Sequence, residues 1–204
     1  MKKSLLACLL FSIISLPAFA QSSGFAGASQ KLGFGPVAMG MGNSVTATTS
    51  QGTFAIYNPA LAAIEKDFVQ TNLSVASLAY DRIYQTAGVA FSLPPSAGLS
   101  VNLIRSGITD IDGRTLSGYP TQSFDASEYQ LHTAFAIRMS EKFNAGIGFK
   151  INYANYHPDL DASTGVGLDL GFLYHLNPSL NFGFTIQDMF AEYRWDSASL
   201  YGQQ

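Results

Sequence analysis

Phe143-Asn144-Ala145-Gly146-Ile147-Gly148-Phe149-Lys150-Ile151-Asn152-Tyr153-Ala154 is the stretch that decides the fold. Phe143, Ala145, Ile147, Phe149, Ile151 and Tyr153 point one way, and Asn144, Gly146, Gly148, Lys150, Asn152 and Ala154 point the other. Successive side chains of an extended strand lie on opposite faces, so this is a strand with one apolar face and one small or polar face.

The same alternation continues on both sides. In 128–139, Tyr129, Leu131, Thr133, Phe135, Ile137 and Met139 oppose Glu128, Gln130, His132, Ala134, Ala136 and Arg138. In 165–174, Val166, Leu168, Leu170, Phe172 and Tyr174 oppose Gly165, Gly167, Asp169 and Gly171, and Leu173 breaks the pattern. In 180–187, Leu180, Phe182, Phe184 and Ile186 oppose Asn181, Gly183, Thr185 and Gln187. Weaker strands fit at 67–79, 82–93 and 97–107.

Such segments suit the wall of an outer-membrane barrel. A strand tilted by about 45° needs ~9–11 residues to cross the hydrocarbon. The apolar face would meet lipid, and the small and polar face would meet a wet lumen, placing Glu128, Arg138, Lys150 and Asp169 inside. A water-soluble sheet reverses these faces; a secreted β-sandwich, whose strands also alternate, is the soluble alternative. Connections agree with a barrel entered from the periplasm. Pro94-Pro95-Ser96, Ser140-Glu141-Lys142 and Asn177-Pro178-Ser179 are short turns, whereas 108–127 and 155–164 read as longer external loops. The tight turn near Asp81-Arg82 departs from that alternation.

The chain opens with Met1-Lys2-Lys3, an apolar run from Leu5 to Leu16, and Ala18-Phe19-Ala20. A positive start, a short apolar core and a small-x-small site make a secretory signal over 1–20, too short and wrongly flanked for a spanning helix. The lipoprotein-like Leu5-Leu6-Ala7-Cys8 would leave almost no apolar run before its cysteine. Cleavage after Ala20 removes Cys8, the one cysteine, so no disulfide is expected. Of the 204 residues 184 remain, with nine basic and fourteen acidic side chains, which excludes a basic footprint for nucleic acid. Charged residues make up only 12% of the chain, against about 25% in ordinary soluble domains. No mature stretch approaches the ~18 consecutive apolar residues of a membrane helix, leaving the closed barrel as the membrane solution.

The residues 21–66 differ in character. Gly33, Gly35, Gly40 and Gly42 precede Phe54-Ala55-Ile56-Tyr57-Asn58-Pro59-Ala60-Leu61-Ala62-Ala63-Ile64. Asn58 suits a helix N-cap and Pro59 a first helical turn, where its missing N–H costs nothing. The glycines would let backbone pack closely on backbone. The segment reads as a plug or hatch inside the barrel, or as an ordered strap at its periplasmic rim. Its glycine pairs lack the strand–turn–helix context of a phosphate fingerprint.

Gly40-Met41-Gly42-Asn43, followed by Tyr57-Asn58-Pro59-Ala60-Leu61-Ala62, resembles the N-terminal signature of the PorV/PorQ family of outer-membrane proteins. Ser123-Phe124-Asp125-Ala126-Ser127-Glu128-Tyr129 and Gly167-Leu168-Asp169-Leu170-Gly171-Phe172-Leu173-Tyr174 look alike too, so the resemblance spans about 32–202. The Asn-Pro-Ala element is also similar to one in FadL-type fatty acid transporters. The resemblance implies a transmembrane antiparallel β-barrel of about fourteen strands, with a hatch whose candidate motif is Gly40, Gly42, Asn58, Pro59 and Ala60. About seven strands are present over 67–204. Because single-chain barrels use even strand numbers, a C-terminally incomplete barrel is expected, with oligomeric closure or a missed strand as alternatives.

For function, the resemblance implies a non-enzymatic accessory of type IX secretion, binding secreted cargo proteins and secretion-system components at the cell surface. The alternative is a FadL-like carrier of hydrophobic small molecules, for which an apolar pocket is expected around Phe54, Ile56 and Leu61. A structural barrel with no cargo is the third reading. Either binding role could use the 108–127 loop. His132, His157 and His175 lack metal-ligand spacing, and Asp110-x-Asp112-Gly113 and Asp159-x-Asp161 are only fragments of a calcium loop. No cofactor is expected, and no nucleophile motif such as G-x-S-x-G is present. The ionisable residues of the lumen face mark either a solute path or pairs that stiffen the wall. Trp195, Tyr153, Tyr156, Tyr193 and Tyr201 suit an aromatic girdle in contact with outer-membrane lipid.

Overall fold

The computed structural model describes residues 26–64 and 68–194. The export signal over 1–20, Trp195, Tyr201 and the polar tail lie outside the described residues.

Seven strands form one antiparallel sheet in sequential order. They are β1 (Val69–Leu78), β2 (Arg82–Leu93), β3 (Ala97–Arg114), β4 (Pro120–Ser140), β5 (Phe143–Asn155), β6 (Ser163–Asn177) and β7 (Leu180–Met189). Each pairs with its chain neighbour, and β1 and β7 are the two outer strands of an unclosed sheet. Every expected strand is present, and the segments 128–139, 143–154, 165–174 and 180–187 carry the expected faces.

The expected external loop over 108–127 is mostly strand. β3 runs to Arg114 and β4 starts at Pro120, with Ile111 opposite Phe124 and Asp112 opposite Ser123. The pairing of β2 ends at Arg82 with Ile108, and that of β5 at Asn155 with Ser127. Beyond those points the hairpin continues as a two-stranded arm of about 20 Å, at ~3.3 Å per residue, touched by the β5–β6 connection where Phe124 meets the His157 ring. Neither of its faces is buried, so its residues carry no apolar alternation and the sequence looks like a loop. Register shifts between Ile108 and Ile111 and between Asp112 and Arg114 twist it.

The sheet buries its small and polar face and exposes its apolar one. On β5, Lys150 is 2% exposed and Ile147 is 61% exposed. Phe135, Phe149, Phe172, Phe182 and Phe184 likewise point away from the interior and are exposed.

The buried face is filled by residues 26–64, which fold across it as short turns of helix. Three are 3-10 turns, at Ala28–Leu32, Gly52–Ile56 and Pro59–Ala63; one is the α-helix α1, Gly35–Gly40, with Pro36 in its first turn. None has the length for an apolar stripe of its own, so they are stable only against the sheet. The largest core cluster joins Ala38, Val45, Phe54, Ala60 and Leu61 of this plug to Leu173 of β6. That contact explains why Leu173 breaks the alternation: it is a large apolar side chain on the small-residue face, aimed into the plug. A second cluster joins Ala55, Ala62 and Ala63 to Ala134 and Ala136 of β4.

Close approach needs glycine on the strands. A Cβ at Gly146 would lie 2.5 Å from the Pro59 carbonyl carbon, and one at Gly98 would overlap the Ala62 carbonyl.

Candidate functional site

The joint between plug and wall is built on Asn58, which is fully buried. Its Oδ1 accepts from the Ala60 N–H at 3.1 Å, capping the turn that Pro59 opens. Its Nδ2 donates to the Thr46 carbonyl at 2.8 Å and to the Phe172 carbonyl of β6 at 3.0 Å. One side chain therefore ends a loop, starts a helix and ties both to the sheet. Asn58, Pro59 and Ala60 of the expected motif meet the wall as a unit.

Gly40 and Gly42 do not. A Cβ at either position would meet nothing within 4 Å. The expectation that these two glycines allow close backbone contact is corrected: Gly42 serves a turn with φ of 61°, and close contact belongs to the strand glycines. The polar residue after that turn is used as well. Asn43 Oδ1 accepts from the Tyr57 hydroxyl at 2.9 Å, and Tyr57 Oη accepts from the Phe34 N–H. Burial pushes the Tyr57 hydroxyl above its ordinary range, so it stays protonated and can make both contacts.

Lys150 and Asp169, both expected on the lumen face, come together. Lys150 Nζ lies 3.0 Å from Asp169 Oδ2 and 2.7 Å from Asp188 Oδ1. His132 Nε2 lies 3.3 Å from Asp169 Oδ2, and Asp169 Oδ1 accepts from the Asp188 N–H at 2.8 Å. Four strands thus contribute to one buried cluster of charged and imidazole groups. A buried charge is tolerated only when paired and hydrogen-bonded, and here each strand supplies part of that pairing.

Asp188 was not foreseen, for a definite reason. Strict alternation from Leu180 puts Asp188 on the outer face with Phe182 and Ile186. A register shift between Leu168 and Leu170 and a φ of 59° at Asp188 turn the side chain inward. His132 was on the expected face, but nothing in its spacing signalled Asp169 as its neighbour.

Glu128 forms a separate cluster at the arm end of the sheet. Its Oε1 accepts from Gly27 N–H at 2.9 Å and from the Tyr193 hydroxyl at 2.8 Å, and its Oε2 accepts from Ser29 N–H at 3.4 Å. The Tyr156 hydroxyl is hydrogen-bonded to it too. Burial, with the Glu128 charge beside it, pushes Tyr156 up to about 12, and the same causes raise Tyr193 further; both remain donors. Tyr153 stays on the exposed outer face, while Tyr193 points inward, away from the expected girdle. Arg138 sits at the opposite, short-turn end, where its Nη2 donates to the Pro95 carbonyl at 3.2 Å. It belongs to neither cluster.

A cavity of about 300 Å³ lies between plug and wall. Phe34, Ile56 and Tyr57 border it from the plug, and Ile104, Lys150 and Asp188 from the wall. It is not the apolar pocket expected around Phe54, Ile56 and Leu61. Phe54 and Leu61 are consumed by the core, and of the three only Ile56 reaches the cavity. No protein-family model matches the chain, and no curated protein sequence matches it either.

Proposed function

We propose that this chain forms the wall and plug of an outer-membrane β-barrel of PorV/PorQ type, an accessory of type IX secretion that holds secreted proteins at the cell surface. The observation that carries the membrane reading is the inverted sheet: large apolar side chains outside, Lys150, Asp169 and Asn58 buried inside. In water this arrangement forfeits the hydrophobic effect; in lipid it is the favourable one. The free edges of β1 and β7 cannot face hydrocarbon unpaired, so further strands, about fourteen in all by the family resemblance, complete the wall.

The role in secretion rests on the resemblance, supported by two features. Residues 26–64 fill the inner face, which suits a binding protein better than an open diffusion pore. The projecting β3–β4 arm offers an outer surface for a protein partner. A FadL-like carrier of hydrophobic solutes is the second reading, with the cavity beside Phe34, Ile56 and Tyr57 as the space it would use.

Mass spectrometry of the protein purified from outer membranes in mild detergent separates the two readings. Co-purifying secreted proteins support the secretion role, and bound long-chain lipid without a protein partner supports the carrier. Recovery from the soluble periplasm alone rules out the barrel.

A further inference from the structure

We propose that Arg105 forms, with Gln85 and Tyr129, a docking site on the outer face of the wall for the phosphate of an outer-leaflet lipid headgroup, an assignment that rests on the outer-membrane barrel reading above.

Arg105 stands on the apolar face of the sheet. Asn102 and Ile104 of β3 are buried on the inner face, as are Tyr84 and Thr86 of β2 and Glu128 and Gln130 of β4. Gln85, Arg105 and Tyr129 alternate with them and therefore lie outside. They form one row: Arg105 pairs with Gln85 on one side and with Tyr129 on the other, and Tyr129 pairs with Tyr153 of β5.

Depth decides what this row meets. Two residues closer to the short turns, the next outer row is Ala87, Leu103, Leu131 and Ile151, wholly apolar. Two residues the other way it is Ile83, Gly107, Ser127 and Asn155, where β5 ends. Tyr153 is ten positions beyond Phe143, the first residue of β5. A tilted strand crosses the hydrocarbon in ~9–11 residues, so the Arg105 row lies at the outer rim of the apolar belt, level with headgroups.

The guanidinium is held in place there. Its Nε donates to the Tyr129 hydroxyl at 3.1 Å, and its Nη1 donates to Gln85 Oε1 at 3.0 Å. Its central carbon lies 5.7 Å from the centre of the Tyr129 ring. An arginine that merely snorkels reaches freely into water; this one is fixed between two neighbours along the wall. Both neighbours are neutral. Among the described residues no carboxylate pairs with Arg105, whereas Lys150 on the inner face has two. Two of the five guanidinium N–H groups are used by Tyr129 and Gln85. The others, with the whole positive charge, face the headgroup level.

A phosphate fits this site. The planar fork of arginine matches its oxygens, and it brings the missing negative charge. The same molecule has a use for the row beneath. Leu103, Leu131 and Ile151 are exposed, and acyl chains below the phosphate would lie along them. A free anion would gain only the first contact, which favours a lipid as the occupant.

Native mass spectrometry of the whole protein in mild detergent tests this, with phosphatidic acid, diacylglycerol of the same chains and inorganic phosphate as probes. Phosphatidic acid is expected to bind about tenfold more tightly than diacylglycerol, the worth of one charged hydrogen-bonded contact. Arg105→Leu continues the apolar row and should abolish that preference while heat-modifiable migration is retained. Arg105→Lys keeps the charge but not the fork and should lose about half of the preference, which keeps the test open if Arg105→Leu fails to fold. A preference unchanged in the variants, as for a lipid held in the cavity, would overturn the proposal. So would equal affinity of the unsubstituted protein for the two lipids, or inorganic phosphate binding as tightly as phosphatidic acid. Absence of heat-modifiable migration in the unsubstituted protein would instead remove the barrel reading on which it stands.

Discussion

Asn58 Nδ2 donates to the carbonyl of Phe172, a residue 114 positions further along the chain, across the boundary between plug and wall. The same side chain caps its own helical turn, so local and long-range order depend on one amide.

Asn58→Ala removes the cap and the donor that the Thr46 and Phe172 carbonyls share, which together should cost about 3 kcal/mol. Asn58→Asp separates the two roles: the carboxylate still accepts from Ala60 but cannot donate to Thr46 or Phe172. Both variants should lower the urea midpoint of unfolding in detergent. An Asn58→Asp protein as stable as the parent would show that the contact with β6 contributes nothing.

Gly146→Ala places a methyl against the Pro59 carbonyl carbon and forces plug and wall apart, at a cost of about 1–3 kcal/mol. Gly40→Ala, with open space around it, should be neutral or slightly stabilising because Gly40 lies in a helix. Limited proteolysis of residues 26–64 in the two variants compares them directly. Equal susceptibility would contradict the close approach.

Lys150→Met leaves Asp169 and Asp188 facing each other without their cation. Breaking a buried pair in this way costs about 3–5 kcal/mol. Adding Asp169→Asn removes one of the stranded charges and should restore a large part of the loss. Chemical unfolding of the single and double variants measures this, and a double variant no better than Lys150→Met would mean that the pair is not coupled.

Ile147→Arg tests the environment of the outer face. At mid-depth in a bilayer a lipid-facing arginine costs about 2–4 kcal/mol, whereas on a water-facing sheet it costs almost nothing. Refolding yield into lipid vesicles should fall for Ile147→Arg and stay unchanged for an arginine placed on the projecting arm at Ser123. Equal yields would argue that Ile147 does not meet lipid.

All seven strands were legible because a strand with different media on its two faces writes that difference into every second residue. The arm at 109–126 was not legible, since neither of its sides is buried, which erases the alternation while backbone pairing continues. Lys150 and Asp169 were placed on the correct face by the same rule. Asp188 was lost to it, because a positive φ and a register shift interrupt the period of two. Leu173 was legible only as an exception, and its partners in the plug explain it. The small residues of the inner face suggested a wet lumen. Gly98 and Gly146 are instead the places where the plug touches the wall, a distinction that composition does not carry.

The plug precedes the wall in the chain, and this fixes an order of events. Residues 26–64 are synthesised before any strand, yet Leu173, Phe172 and Tyr193, which complete their environment, are made more than a hundred residues later. Until then the segment has neither a strand ladder nor a core to fold into. It must wait, unfolded and nearly free of charge, for the sheet to be laid down around it. Whatever guards the nascent chain therefore has to protect the beginning of this molecule for longest.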